Sequence, residues 1–204
     1  IKYNKMTVKM AEEGEKFTTL DGVERTLTSD MLVIGNQDKT LDLAGIMGGE
    51  NSEIKDTTTS IFIEGASFAK ENIRATSKKL GLRTEASSRF EKGIDINLAE
   101  EAVNRACQLI EELGCGTVLN GMLDYYPQKE EVQKVTVNPV RINKLLGVNV
   151  PMDQFINILD SLEFKCNLVS SEVLELEVPT FRLDITEDAD ILEEIARIYG
   201  YDNI

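Results

Sequence analysis

All four prolines of this 204-residue chain, Pro127, Pro139, Pro151 and Pro179, fall after residue 126. Proline fixes φ and removes a backbone donor, so its distribution marks where a chain can and cannot run on as one element. The stretch around the first proline, DYYPQKEEVQK at 124–134, is polar and charged and reads as a linker. It predicts a domain over 1–126, a linker over 127–133 and a second domain over 134–204.

The proline-free part predicts strands and then helices, an α+β arrangement. KMTVKM alternates, and KFTTLDGVERTL is a hairpin turning at Asp21-Gly22. MLVIG and TLDLA follow as strands about the turn NQDK. TSIFIEGA, apolar at Ile61, Phe62 and Ile63, predicts a strand covered on both faces. Ser67 then caps a helix that Gly81 stops. Ser88 and Glu91 stand at capping-box spacing in SSRFEKG. Asn97 opens a long helix whose apolar face runs from Leu98 to Leu113.

The second part is compact and winged-helix-like in plan. KVTVNP is a strand ending in a helix start, Asn138 as cap and Pro139 at the first helical position. PVRINKLL stops at Gly147, and Pro151 opens another helix. FKCNLVSSEVLELEV is a hairpin about Ser170-Ser171, and a last helix runs from Thr186 to Tyr199.

Composition excludes several chemistries. There is no histidine, which removes a His triad, a His zinc site and a His base from these residues. Three cysteines at no metal spacing, Cys107, Cys115 and Cys166, suit a reducing compartment. No apolar run approaches the ~20 residues of a membrane span. The net charge of −14 repels nucleic acid as a whole, but residues 67–93 carry seven basic and three acidic side chains. That segment is either a solvated helix face or a polyanion contact.

Four motifs point to sites. Gly45, Gly48 and Gly49 crowd one turn, without the Lys-Ser or Lys-Thr of a phosphate loop and with Glu50 behind them. Bare backbone there serves a tight turn or a close approach. Glu64 ends an apolar run beside Gly65 and Ala66, where a carboxylate needs a partner or a ligand hydroxyl. LGLRTEASSRFEKGID is dense in small and hydroxyl residues between Arg83 and Arg89. On the last helix Asp190, Glu193 and Glu194 share a face, with Asp184 just upstream. Such carboxylates suit a hard ion such as Mg²⁺, or a solvated helix start paired with Arg197.

In this order and spacing, LDLAGIMGGENSEI, IFIEGASF, GLRTEASSRFEKGID and RLDITEDADILEEIARIYGYDNI resemble the β subunit of bacterial phenylalanyl-tRNA synthetase over nearly the whole chain. The resemblance implies the later part of an editing domain, which begins upstream of Ile1, followed by a small winged-helix-like domain. Family members are cytoplasmic (αβ)₂ heterotetramers that join phenylalanine to tRNA(Phe) with ATP bound by the α subunit. The β editing domain hydrolyses tyrosine wrongly attached to that tRNA. By resemblance Gly45, Gly48, Thr84 and Ala86 line the editing pocket and Glu64 recognises the tyrosine hydroxyl. Asp184, Asp190, Glu193 and Glu194 match Mg²⁺ positions at the junction with the α subunit. No catalytic nucleophile is assigned. The competing expectations are a non-catalytic module that binds RNA or protein, and a deacylase for another aminoacyl-tRNA.

Overall fold

Short antiparallel strands meeting at tight turns open the chain, in a computed structural model that describes residues 6–36, 38–129, 131–170 and 172–204. The strands are β1 (Thr7–Met10), β2 (Lys16–Thr18), β3 (Glu24–Thr26), β4 (Leu32–Gly35), β5 (Thr40–Leu43) and β6 (Met47–Gly48). One sheet has the order β1-β4-β5-β6, and β2 and β3 form a separate hairpin. Its turn is closed by Asp21, whose carboxylate accepts from the Thr19 hydroxyl, the Val23 N–H and the Arg25 guanidinium. A bridge between Thr19 and Gly49 ties this hairpin to the end of β6. The predicted NQDK turn includes Gln37, which lies outside the described residues.

Three helices follow: α1 (Lys70–Leu80), α2 (Glu85–Phe90) and α3 (Leu98–Glu112). Phe17, Leu27, Met31, Val33, Leu43, Ile46, Ile73 and Leu82 form one buried cluster between sheet and helices. Each such side chain contributes about 1.5–3 kcal/mol when fully buried.

Local chemistry corrects four expectations here. TSIFIEGA forms no strand, and Ile61 and Phe62 are 52% and 64% exposed. A strand needs a ladder partner, and no described strand pairs with this run. Ser67 does not cap α1, which starts at Lys70 after Ala69 with no side-chain cap. The capping box of α2 lies one turn earlier than expected, on Thr84 and Ser87 in place of Ser88 and Glu91. Asn97 precedes α3 but its side chain caps nothing; its own N–H is taken by Asp95 at 2.9 Å.

The chain divides into two compact units, Ile1–Asn120 and Gly121–Ile204. The second runs β7 (Lys134–Val137), α4 (Pro139–Leu146), α5 (Met152–Ser161), β8 (Lys165–Ser170), β9 (Val173–Glu177) and α6 (Asp188–Tyr199), with sheet order β7-β9-β8. Asn138 caps α4 by accepting from the Arg141 N–H at 2.9 Å. Pro139 takes the first turn, and Gly147 ends the helix at φ 76°. Ser171, in the predicted hairpin turn, lies outside the described residues. Phe155, Phe164, Leu174, Leu176, Ile191 and Ile195 form the core beneath the sheet. The architecture is α+β, as the sequence predicts. No helix of the described residues is long and apolar enough to cross a membrane.

Candidate functional site

The residues 44–46 join β5 to β6, and the pairing sets Asp42 opposite Gly48 and Leu43 opposite Met47. Gly45 makes this turn at φ +66°, a left-handed conformation that glycine adopts without penalty. A Cβ there would also lie 2.8 Å from the Phe68 ring and 3.1 Å from Ile73. Its bareness therefore serves packing beneath α1. Gly48 differs, because its φ is ordinary. A Cβ on it would meet Leu20 at 3.2 Å and the Asp42 carboxylate oxygen at 3.8 Å. The space it leaves bare lies beside a carboxylate.

Glu64 belongs to the same neighbourhood. Burial of its carboxyl, and then the negative charge of Asp42, push it up to about 7 from an ordinary value of 4.5. Asp42 is raised as well, by burial. Two acids that lose solvation near one another disfavour double ionisation. Glu64 as a residue is exposed, so the sequence expectation of an enclosed carboxylate is met only by the partial shielding that raises it. Among the described residues no side chain hydrogen-bonds to it or pairs with it. Asp42 is the residue that the sequence reading missed. Its signal was a single carboxylate between Leu41 and Leu43 in a short strand.

Thr84 and Ala86 enter through α2. The Thr84 hydroxyl accepts from the Ser87 N–H at 3.0 Å and donates to the Ile46 carbonyl at 2.8 Å. The Ser87 hydroxyl accepts in return from the Thr84 N–H at 2.8 Å, and Ser87 is fully buried. The helix start is thus tied to the glycine turn, and Ala86, half-buried, sits in its first turn. The structure brings Gly48 near Asp42 and Asp42 near Glu64. It joins Thr84 to the turn between Gly45 and Gly48.

The acidic helix of the second unit is arranged otherwise. Asp184 receives the Arg182 guanidinium on both oxygens, at 2.9 and 2.6 Å. Glu194, only 7% exposed, accepts from Arg182 at 2.9 Å and from Arg197 at 2.5 Å. Asp190 folds back as a capping group, with one oxygen accepting from the Thr186 N–H and hydroxyl and the Glu187 N–H. Glu193 is exposed. The Arg182 hydrogen bonds hold Asp184 below the usual carboxylate range, and backbone N–H donors do the same for Asp190. Burial raises Glu194, but the hydrogen bonds from Arg182 and Arg197 outweigh it and leave the group lowered. No three Asp, Glu, Cys or His side chains among the described residues gather to hold an ion. Arg182 thus bridges Asp184 and Glu194 and balances their charge in this arrangement.

Residues 1–115 match the B3/4 domain family, and residues 135–201 match the tRNA synthetase B5 domain. Fold and domain order together define a part of an aminoacyl-tRNA synthetase. The chain belongs to the B3/4 family, joined to a B5 domain as in the beta subunits of phenylalanine–tRNA ligase. Such a subunit from Clostridium tetani is 48% identical over 201 residues, 98% of this chain and 25% of its own length. The one from Geobacter metallireducens is 46% identical over 200 residues, again 98% and 25%. The chain spans about a quarter of the length of these relatives. Among solved structures, the crystal structure of an N-terminal fragment of the phenylalanyl-tRNA synthetase beta-subunit from Pyrococcus horikoshii aligns with a TM-score of 0.50 at 18% identity. That alignment covers 98% of this chain and 57% of the other, and at this identity it speaks to the fold alone.

Proposed function

We propose that the first unit contributes to a hydrolytic editing site, which removes tyrosine wrongly joined to tRNA(Phe) within a phenylalanine–tRNA ligase beta subunit. In this reading the second unit helps that subunit meet its alpha subunit in an (αβ)₂ assembly, and the alpha subunit binds ATP. The observation that carries the editing reading is the Glu64 carboxyl, unpartnered among the described residues and raised by the charge of Asp42, the residue that stands opposite the bare Gly48.

A synthetic pocket that holds phenylalanine cannot strongly reject an analogue that only adds a hydroxyl. A second site built around an acceptor can select that hydroxyl. A phenol donates to the ionised Glu64 carboxylate, whereas a phenylalanyl group leaves the same carboxylate desolvated and unpaired. A polar pocket of this kind discriminates by about 10⁴-fold. Gly48 keeps the space beside Asp42 clear, and Thr84 fixes the second loop against the first. Glu64 in this account recognises the side chain and does not attack the ester.

The test is Glu64→Ala in the full heterotetramer. Tyr-tRNA(Phe) is expected to accumulate while phenylalanine charging is unchanged. Undiminished Tyr-tRNA hydrolysis would remove the assignment.

A further inference from the structure

Acidic side chains outnumber basic ones by 36 to 22 in this chain, and its arginines accordingly find carboxylates. Arg25, Arg83, Arg89, Arg105, Arg141, Arg182 and Arg197 each form an ion pair. Arg74 is the arginine that does not, among the described residues. It stands on α1 between Lys70 and Lys78, at i, i+4 and i+8, and all three are exposed without a carboxylate partner among the described residues. At 1.5 Å rise per residue the three charges repeat every ~6 Å along one side of the helix. Glu71 is the only acid of α1.

The rest of α1 is committed elsewhere. Ile73, Thr76 and Ser77 are buried, with Ile73 against the Gly45 turn. Lys79 pairs with Asp30 at 3.0 Å, and the Asn72 amide donates to the Asp30 carbonyl at 2.7 Å. The Lys70–Arg74–Lys78 row therefore flanks the face that covers the glycine turn. Three adjacent cations without internal partners, on a chain of charge −14, repel one another in the free protein. A regularly spaced polyanion relieves that repulsion and releases its own counterions.

We propose that Lys70, Arg74 and Lys78 form a docking row for the phosphodiester backbone of RNA, holding the acceptor end of a tRNA beside the Gly48–Glu64 neighbourhood. The proposal rests on the editing reading for the identity of the RNA. The row reads no sequence; it positions the strand so that the aminoacyl end reaches the site.

Fluorescence anisotropy with an unacylated acceptor-stem minihelix, from 50 to 200 mM salt, tests it on the 204-residue chain. Lys70→Glu/Arg74→Glu/Lys78→Glu is expected to weaken binding by about tenfold or more at low salt. The slope of log K against log salt should fall by about 2–3, at roughly 0.7–0.9 for each phosphate that is no longer neutralised. Lys129→Glu/Lys144→Glu/Lys165→Glu, an equal charge change elsewhere, should leave the slope unaltered. If the glutamate triple fails to fold by circular dichroism, the glutamine triple at the same three positions serves, with the same slope change expected. An unchanged slope in the α1 variant, equal losses in both triples, or no binding by the unmodified chain would each overturn the proposal. So would retained RNA affinity with lost binding of the alpha subunit, which would assign the row to a protein partner. Glu64→Ala separates the two readings. It should leave RNA affinity intact, and if it also leaves Tyr-tRNA hydrolysis intact, the editing reading fails while the RNA result stands.

Discussion

The Thr84 hydroxyl donates a 2.8 Å hydrogen bond to the main-chain carbonyl of Ile46, and so ties the start of α2 to the turn between β5 and β6. The same oxygen accepts from the Ser87 N–H. Thr84→Val keeps the shape and loses both bonds. It is expected to lower stability by about 1–2 kcal/mol, read from the urea midpoint, while Thr84→Ser stays near the parent. Equal midpoints for Val and Ser would show that the tie contributes nothing.

The two glycines Gly45, in the turn, and Gly48, in β6, should respond differently. Gly45→Ala forces a side chain into φ +66° with its Cβ 2.8 Å from Phe68, so it should destabilise the chain by roughly 1–3 kcal/mol. Gly48→Ala has ordinary backbone and a 3.2 Å neighbour at the end of Leu20, a flexible side chain. It should keep the thermal midpoint within a few degrees and lower Tyr-tRNA hydrolysis in the heterotetramer. The reverse pattern would assign the open space to the wrong glycine.

Glu64 gives a pH signature with a definite sign. Its carboxyl is raised from 4.5 to about 7 in the folded chain, so the folded state holds a proton that the unfolded state releases. The associated stability is fully present below about pH 4.5 and is lost as pH rises through about 7. Glu64→Gln should therefore raise the thermal midpoint at pH 8 relative to the parent, and the gain should disappear at about pH 4. Asp42→Asn removes a charge that helps keep the proton on Glu64. It should move the pH at which tyrosine discrimination sets in to lower values. A discrimination profile independent of Asp42 would separate the two acids.

Arg182 sits between two acids and over the Phe164 ring, 5.9 Å from its centroid. Its partner Glu194 is nearly enclosed, so Arg182→Gln leaves a carboxylate with Arg197 alone. About 2–4 kcal/mol of destabilisation is expected for a pair this buried. Millimolar Mg²⁺ should leave the thermal midpoint of the unmodified chain unchanged. A rise of several degrees would show that the ion displaces Arg182.

Much of this was legible in the sequence where the signal was local. The Asp21-Gly22 hairpin, the Asn138-Pro139 helix start and the Gly81 and Gly147 stops depend on a few adjacent residues, and the structure shows each of them. Local pattern also placed the six helices of the described residues. Failure came where the outcome depended on a distant partner. Ile61, Phe62 and Ile63 have the composition of a strand, but composition cannot say whether a ladder partner is present. Ser67 has the chemistry of a cap, yet the helix begins after it. The acidic face of α6 was visible at its i, i+3 and i+4 spacing. Arg182, twelve residues from Glu194, was not seen as its neutralising group, because only the fold brings it there. Asp42 was hidden for the same reason, since its significance lies in the strand register opposite Gly48.

Recognition of a phenol by the Glu64 carboxyl is the claim on which the proposed editing role stands. A crystal structure of the intact heterotetramer with a non-hydrolysable tyrosyl-adenosine analogue addresses it most directly. The phenol oxygen is expected within about 2.5–3.0 Å of a Glu64 carboxylate oxygen, with the ring lying beside Gly48. An analogue bound in the editing domain with its hydroxyl on other groups, and Glu64 turned to bulk water, would contradict it.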